Sequence, residues 1–166
     1  CQGVVVGLET ELAVRTGDAR HSVRVRRLVP AIAEHMAPDG ILKGAGGGDG
    51  GLFAGITARY LALAATALPG DSKADTAARD TAGRIVLASA GAAWDNRQDI
   101  DGLPLFSAFW DRIAEVPRVG AEAGRFIEGA VMGSAAPERD LSVQVSGWML
   151  MEAAHVVAQH QGAQAN

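Results

Sequence analysis

From Leu141 to Gln161 the apolar side chains Leu141, Val143, Val145, Trp148, Met149, Leu150 and Met151 spread almost around the circumference of a helix. A helix that is apolar on nearly every side must be buried on more than one side, which demands helical neighbours on several flanks. The rest of the chain supplies some of them. Gln2 to Thr16 sets Val5, Leu8 and Leu12 on one face, with Val4, Val6 and Ala13 widening the stripe and Gly17 ending it. Asp18 then reads as the N-cap of a second helix reaching about Met36; Pro30 inside it predicts a kink, and Pro38, Asp39 and Gly40 stop it. A third helix, Gly51 to Leu68, repeats Phe53, Ile56, Tyr60, Leu63 and Ala67 at spacings of three and four before Pro69-Gly70. A fourth runs from about Ser72 to Trp94 around Ile85, Val86, Leu87 and Trp94, with Ala and Gly between them.

Two stretches resist this pattern. Lys43 to Gly51 reads KGAGGGDGG, which has too few side chains to pack and is a loop. Asp95 to Asp140 is long, irregular and rich in Gly and Pro, a length expected of a functional loop or of short local elements; Leu103 to Trp110 is extended or one short helical turn. No strand-period run is long enough for a sheet core, so the fold class is all-α, built from helical hairpins. Five helices cannot cover a helix that is apolar all round. More chain or a second copy is therefore expected to complete the core.

At 166 residues the chain has the size of one domain, and its 48% apolar and 20% charged residues make it globular. A net charge of -4 offers no attraction for phosphate backbones, so nucleic acid is excluded as a partner. No apolar run approaches the ~20 residues of a membrane span. The first residues carry neither a starting Met nor a signal-peptide pattern, from which we expect a chain that begins inside a larger protein. Cys1 is the sole cysteine, which rules out an intrachain disulfide; as a lipid anchor it is disfavoured, because the helical pattern starts at Gln2 with no tether before it.

The glycine tract lacks the Lys and Ser/Thr of a phosphate loop: Leu52 and Phe53 follow it, and Asp49 would place negative charge in the cradle. Arg97 to Ala108 has Asp99, Asp101 and Gly102 at calcium-loop offsets, but Arg97 and Ala108 occupy the first and last ligand positions. His155 and His160, five apart, do not stack on one helical face, which leaves a partly buried His155, a frayed His160 and no metal site. No serine sits in a nucleophile elbow. Glycoside hydrolysis needs two carboxylates flanking the scissile bond, and Glu9, Asp49, Asp95, Asp99 and Asp101 are the acids available, each more often a solvated charge, a cap or a loop hydrogen-bonder.

Four blocks, in order, carry a family resemblance. They are Gln2-Gly3-Val4-Val5 through Leu12, Gly40-Ile41-Leu42-Lys43 leading into Gly48-Asp49-Gly50-Gly51-Leu52-Phe53-Ala54-Gly55-Ile56 with Ala58-Arg59-Tyr60-Leu61, then Ala93-Trp94-Asp95-Asn96-Arg97, and Leu141-Ser142-Val143-Gln144-Val145-Ser146-Gly147-Trp148-Met149-Leu150. Together they resemble bacterial glycoside hydrolase family 76, and the glycine block is the most specific. The chain departs at Ala54, where the family commonly has Lys, and at Cys1, where it has Asn.

The resemblance implies part of an (α/α)6 toroid, with residues 1–166 as the C-terminal portion of one domain whose N-terminal half is absent. It implies an α-1,6-mannan substrate, retaining hydrolysis by two adjacent aspartates, no cofactor, and a secreted or cell-envelope location. No Asp-Asp dipeptide occurs here, so no residue inherits the catalytic roles and the chain alone is expected to be inactive. Gln2, Asp49, Phe53 and Arg59 match the blocks and are the candidate sugar contacts. Trp94, Trp110 and Trp148 are expected in the core before they are expected on sugar. The rival reading is a non-catalytic helical module that dimerises through apolar helix faces.

Overall fold

A computed structural model of the chain describes residues 2–118, 120, 123–127 and 130–165. Cys1, and with it the question of an anchor there, lies outside the described residues. The fold is all-α, with helices α1 (Gln2–Thr16), α2 (Ala19–His35), α3 (Phe53–Ala67), α4 (Lys73–Asp95) and α5 (Leu141–Gln164). The long segment between α4 and α5 holds two antiparallel hairpins of three-residue strands, β1 (Gln98–Ile100) with β2 (Leu103–Leu105) and β3 (Arg125–Ile127) with β4 (Ala130–Met132).

Local chemistry sets the helix ends. Asp18 caps α2 by accepting from the Arg20 amide, and Ser72 caps α4 in a reciprocal box with Asp75. Pro30 lies on the exposed side of α2, and the helix continues through it. Asp75 also receives Arg26 at 2.7 Å, which ties α2 to the start of α4.

The helices form two layers. Gly3 of α1 lies against Thr57 of α3 and Gly7 against Tyr60, while Gly51 lies against Ser142 and Val143, and Gly55 against Ser146 of α5. Residue numbers rise together along each seam, so α1, α3 and α5 run parallel with α3 in the middle. Helices α2 and α4 form the second layer, also parallel to each other: Arg26 meets Asp75 at one end, and the Leu42 amide donates to Ser89 at the other. Between the layers lies one core of Val6, Val25, Val29, Ile32, Leu61, Ile85, Val86, Leu150 and Val157, filled in by alanines.

The seams are narrow because small residues line them. A Cβ at Gly55 would sit 2.6 Å from the Cα of Ser146, a backbone atom with no room to move aside. The Gly55 amide donates to the Ser146 hydroxyl at 2.7 Å across the same contact.

This packing corrects the expected face of α1. Its buried side is Gly3, Val6, Gly7, Glu9, Thr10 and Ala13, whereas Val4, Val5 and Leu8 face outward, Leu8 at 56% exposure. The small residues win because they allow α3 to approach; the larger apolar stripe is left for something else. Helix α5 behaves likewise, burying Val143, Ser146, Gly147, Leu150, Ala153 and Val157 but leaving Trp148 71% exposed beside Val145 and Val156. Of the tryptophans only Trp110, at 2%, is core; Trp94 is exposed, with the Arg97 guanidinium 3.8 Å over its ring. His155 is exposed rather than partly buried, and His160 lies within α5, bonded to Gln164 instead of frayed.

Glu9 is buried between α1 and α2, where His21 Nδ1 approaches it at 2.6 Å and Arg24 at 2.9 Å. The His21 hydrogen bond and then Arg24 hold its carboxyl below the ordinary 4.5. The Ser72 hydroxyl and Arg26 do the same for Asp75 against its ordinary 3.8.

Two predictions follow from these contacts. Gly55→Ala should lower stability by about 1–3 kcal/mol in a denaturant melt, while Gly91→Ala, with nothing within 4 Å of the added carbon, should raise it by about 0.5–1 kcal/mol. Because the folded pKa values of Glu9 and Asp75 are depressed, the stability they contribute is complete above the unfolded values of 4.5 and 3.8 and is lost as pH falls through the folded ones. The melting temperature should therefore hold a plateau above about pH 5 and fall below it; Glu9→Gln should melt lower at neutral pH and lose less on acidification.

Candidate functional site

Parallel alignment brings the N-termini of α1, α3 and α5 to one end of the molecule. Each contributes backbone amides without helical acceptors and the positive end of a helix dipole. The glycine tract enters this end as a 3₁₀ turn, Gly48–Leu52, directly before α3. Gly48 has a φ of 59°, and a Cβ there would lie 2.1 Å from the Val131 carbonyl oxygen, so this position requires glycine twice over.

Three polar links close the rim. Asp49 accepts from the Val131 amide at 3.0 Å, tying the tract to the β3–β4 hairpin. Ser142 donates its hydroxyl to the Gly48 carbonyl at 2.6 Å. Asp140 accepts from the Gly48 amide at 2.7 Å, from the Ser134 amide at 3.0 Å and from the Ser134 hydroxyl. Burial opposes ionisation of Asp140, but the Ser134 hydroxyl and the two amides outweigh it and keep the carboxyl below its ordinary value. These residues line a cavity of about 390 Å³ with Asp49, Arg139 and Leu141 on its walls.

A second set of contacts holds the neighbouring loop. Gln144 exchanges two hydrogen bonds with the backbone of Phe106, each 3.0 Å, and the Phe106 ring fills the space beside Gly147. Buried Glu138 accepts from the Ser107 hydroxyl and the Ala108 amide.

Of the residues singled out in the sequence, Gln2, Asp49 and Phe53 lie at this end, the last 51% exposed at the start of α3. Arg59 does not join them. It lies nearly two turns along α3, on a separate hollow of about 510 Å³ between α1, α3 and α5, with Glu11, Tyr60, Met149 and Glu152. Arg59 makes no ion pair among the described residues. The five acids considered for catalysis are not gathered either: Glu9 is held between α1 and α2, Asp95 ends α4, Asp99 lies in β1 and Asp101 in the turn that follows it. Among the described residues no cluster of His, Cys, Asp and Glu has the arrangement of a metal site.

Sequence reasoning missed Asp140, Ser134, Glu138 and Gln144. Asp140, Glu138 and Gln144 each have a partner 30 or more residues away, at Gly48, Ala108 and Phe106, and Ser134 was not singled out because it acts through Asp140; the local signal was the position of Asp140 just before the apolar run of α5.

The solved structures resolve what this arrangement is similar to. The GH76A α-1,6-mannanase from Salegentibacter sp. HEL1_6 matches over 92% of this chain at a TM-score of 0.65 and 26% identity. The chain has a GH76-like fold. Two inactive variants of that mannanase, each with two consecutive aspartates replaced, match equally; one is in complex with α-1,6-mannotetrose and the other with α-1,6-mannotriose. The chain spans 38% of the length of these structures. No family model and no curated protein matches the sequence.

Asp49→Ala should accelerate hydrogen exchange at the Val131 amide while costing about 1 kcal/mol or less of global stability, since the link is a single exposed hydrogen bond. Unchanged exchange at Val131 would show that the hairpin does not depend on it.

Proposed function

We propose that this chain forms one wall of the substrate groove of an α-1,6-mannan-acting glycoside hydrolase, with the mannan lying across the common N-terminal end of α1, α3 and α5. Asp49 on the wall of the 390 Å³ cavity and exposed Phe53 at the start of α3, in a fold shared with a mannanase solved in complex with an α-1,6-linked oligosaccharide, carry this reading. A neutral sugar offers C–H faces and hydroxyls. The exposed Phe53 ring suits the first, and the carboxylate of Asp49 with nearby serine hydroxyls suits the second. Gln2 lies at the start of the parallel neighbour helix and extends the same wall; Arg59 falls outside this reading.

Hydrolysis belongs to the remainder of the toroid. The chemistry needs a pair of carboxylates across the glycosidic bond, and this chain has no adjacent aspartates. The outward stripe of Val4, Val5 and Leu8 on α1 and of Val145, Trp148 and Val156 on α5 supports further hairpins packing at the edges of the three-helix layer. Residues 1–166 are then part of one toroidal domain. The same stripe also suits a second copy, the dimerising-module reading.

Titration calorimetry of the purified chain with an α-1,6-linked mannose tetramer tests the wall directly. Binding is expected, without hydrolysis, and Phe53→Ala should weaken it about 3- to 10-fold, the equivalent of ~0.5–1.5 kcal/mol. No binding, or equal binding of an α-1,4-glucan, would contradict the proposal. Sedimentation with a hydrophobic dye probes the stripe: self-association or strong dye binding is expected, and a compact monomer with no dye signal would mean that these helices close their own core.

A further inference from the structure

Asp140 occupies the N-cap position of α5 in the extended backbone conformation of a cap residue, and its carbonyl accepts from the amides of Val143 and Gln144. An aspartate at that position ordinarily turns its carboxylate onto the free amides of its own first turn. This one does not: its side chain makes no cap hydrogen bond. Oδ2 instead accepts from the Gly48 amide at 2.7 Å and the Ser134 amide at 3.0 Å, and Oδ1 from the Ser134 hydroxyl. A capping carboxylate has been diverted from its helix to bridge Gly48 and Ser134, beside the separate link from Asp49 to Val131.

We propose that Asp140 is a positioning residue of the candidate site, fixing the glycine tract at Gly48 against the segment that leaves β4 at Ser134, so that the cavity between them keeps its shape. The tract cannot hold itself. Its glycines contribute no side-chain packing, and its order depends on outside acceptors and donors. Ser142 takes the Gly48 carbonyl and Asp49 takes Val131 of β4, while Asp140 accepts at once from Gly48 in the tract and from Ser134, two residues beyond β4. Any effect on mannan rests on the function proposed above, whereas the positioning itself does not. An asparagine can keep the acceptor for Gly48 and offer its amide to the Ser134 hydroxyl, which can accept; an alanine can do neither.

Hydrogen exchange measured on the full chain distinguishes positioning from capping. Asp140→Ala should speed exchange at least about tenfold at Gly48–Gly51 and Val131–Ser134, the scale of losing a charge-assisted hydrogen bond, while the α5 amides from Gln144 onward keep their protection. Asp140→Asn should restore most of the difference. Wild-type exchange in the tract of Asp140→Ala, or equal loosening of the first turn of α5, would overturn the proposal. Should the alanine variant fail to fold, the asparagine variant decides: near wild-type exchange in tract and hairpin supports positioning, and solvent-like exchange there overturns it. Titrating the α-1,6-linked mannose tetramer into the same samples separates the two ideas, since an unliganded wild type counts against the mannan function and leaves the exchange result standing.

Discussion

The rest of the structure depends on the close approach of α3 to α1 and α5. Gly3, Gly7, Gly51 and Gly55 remove side chains from both seams, and the Gly55 amide reaches Ser146 across one of them. Once three helices are held this closely and in parallel, their N-termini must share one end. The position of the site is a consequence of that, as is the exposure of Leu8 and Trp148, whose bulk points away from the narrow seams.

The rim is organised by the same logic at smaller scale. Residues from the last block of sequence resemblance reach three distant segments: Ser142 the glycine tract, Ser146 helix α3, and Gln144 with Gly147 the backbone and ring of Phe106. Three of the four blocks, which looked like independent landmarks along the chain, touch one another along the seams of α1, α3 and α5. This accounts for small and polar residues on a helix that is otherwise strongly apolar: an apolar substitution at Ser142, Gln144 or Ser146 would remove a hydrogen-bond partner, and a side chain at Gly147 would collide with the Phe106 ring.

Helix positions and the all-α class were legible because apolar spacing and capping residues are local. Asp18 and Ser72 do what their positions predict. The buried face of α1 was legible only in part: Val6 and Ala13 of the expected stripe are buried, but Val5 and Leu8 are not, because the contact with α3 selects for the absence of a side chain, which a periodicity of large apolar groups cannot register. Asp140 shows a second limit. Its sequence position indicates a cap, yet its carboxylate serves Gly48, 92 residues earlier, and no local pattern encodes that partner. Asp49 and Phe53 were found through their setting in the glycine block, and Arg59, from the same block, faces a different hollow because two helical turns separate it from the rim.

The proposed function requires the shared N-terminal end of α1, α3 and α5 to be the sugar-facing surface. Amide chemical-shift mapping of the isotopically labelled chain with an α-1,6-linked mannose tetramer locates the contact without requiring turnover. The largest changes are predicted at Gly48 to Phe53 and at Ser142, falling away along α3 before Arg59. Changes centred instead on Arg59, Met149 and Glu152, or none at saturating oligosaccharide, would contradict it.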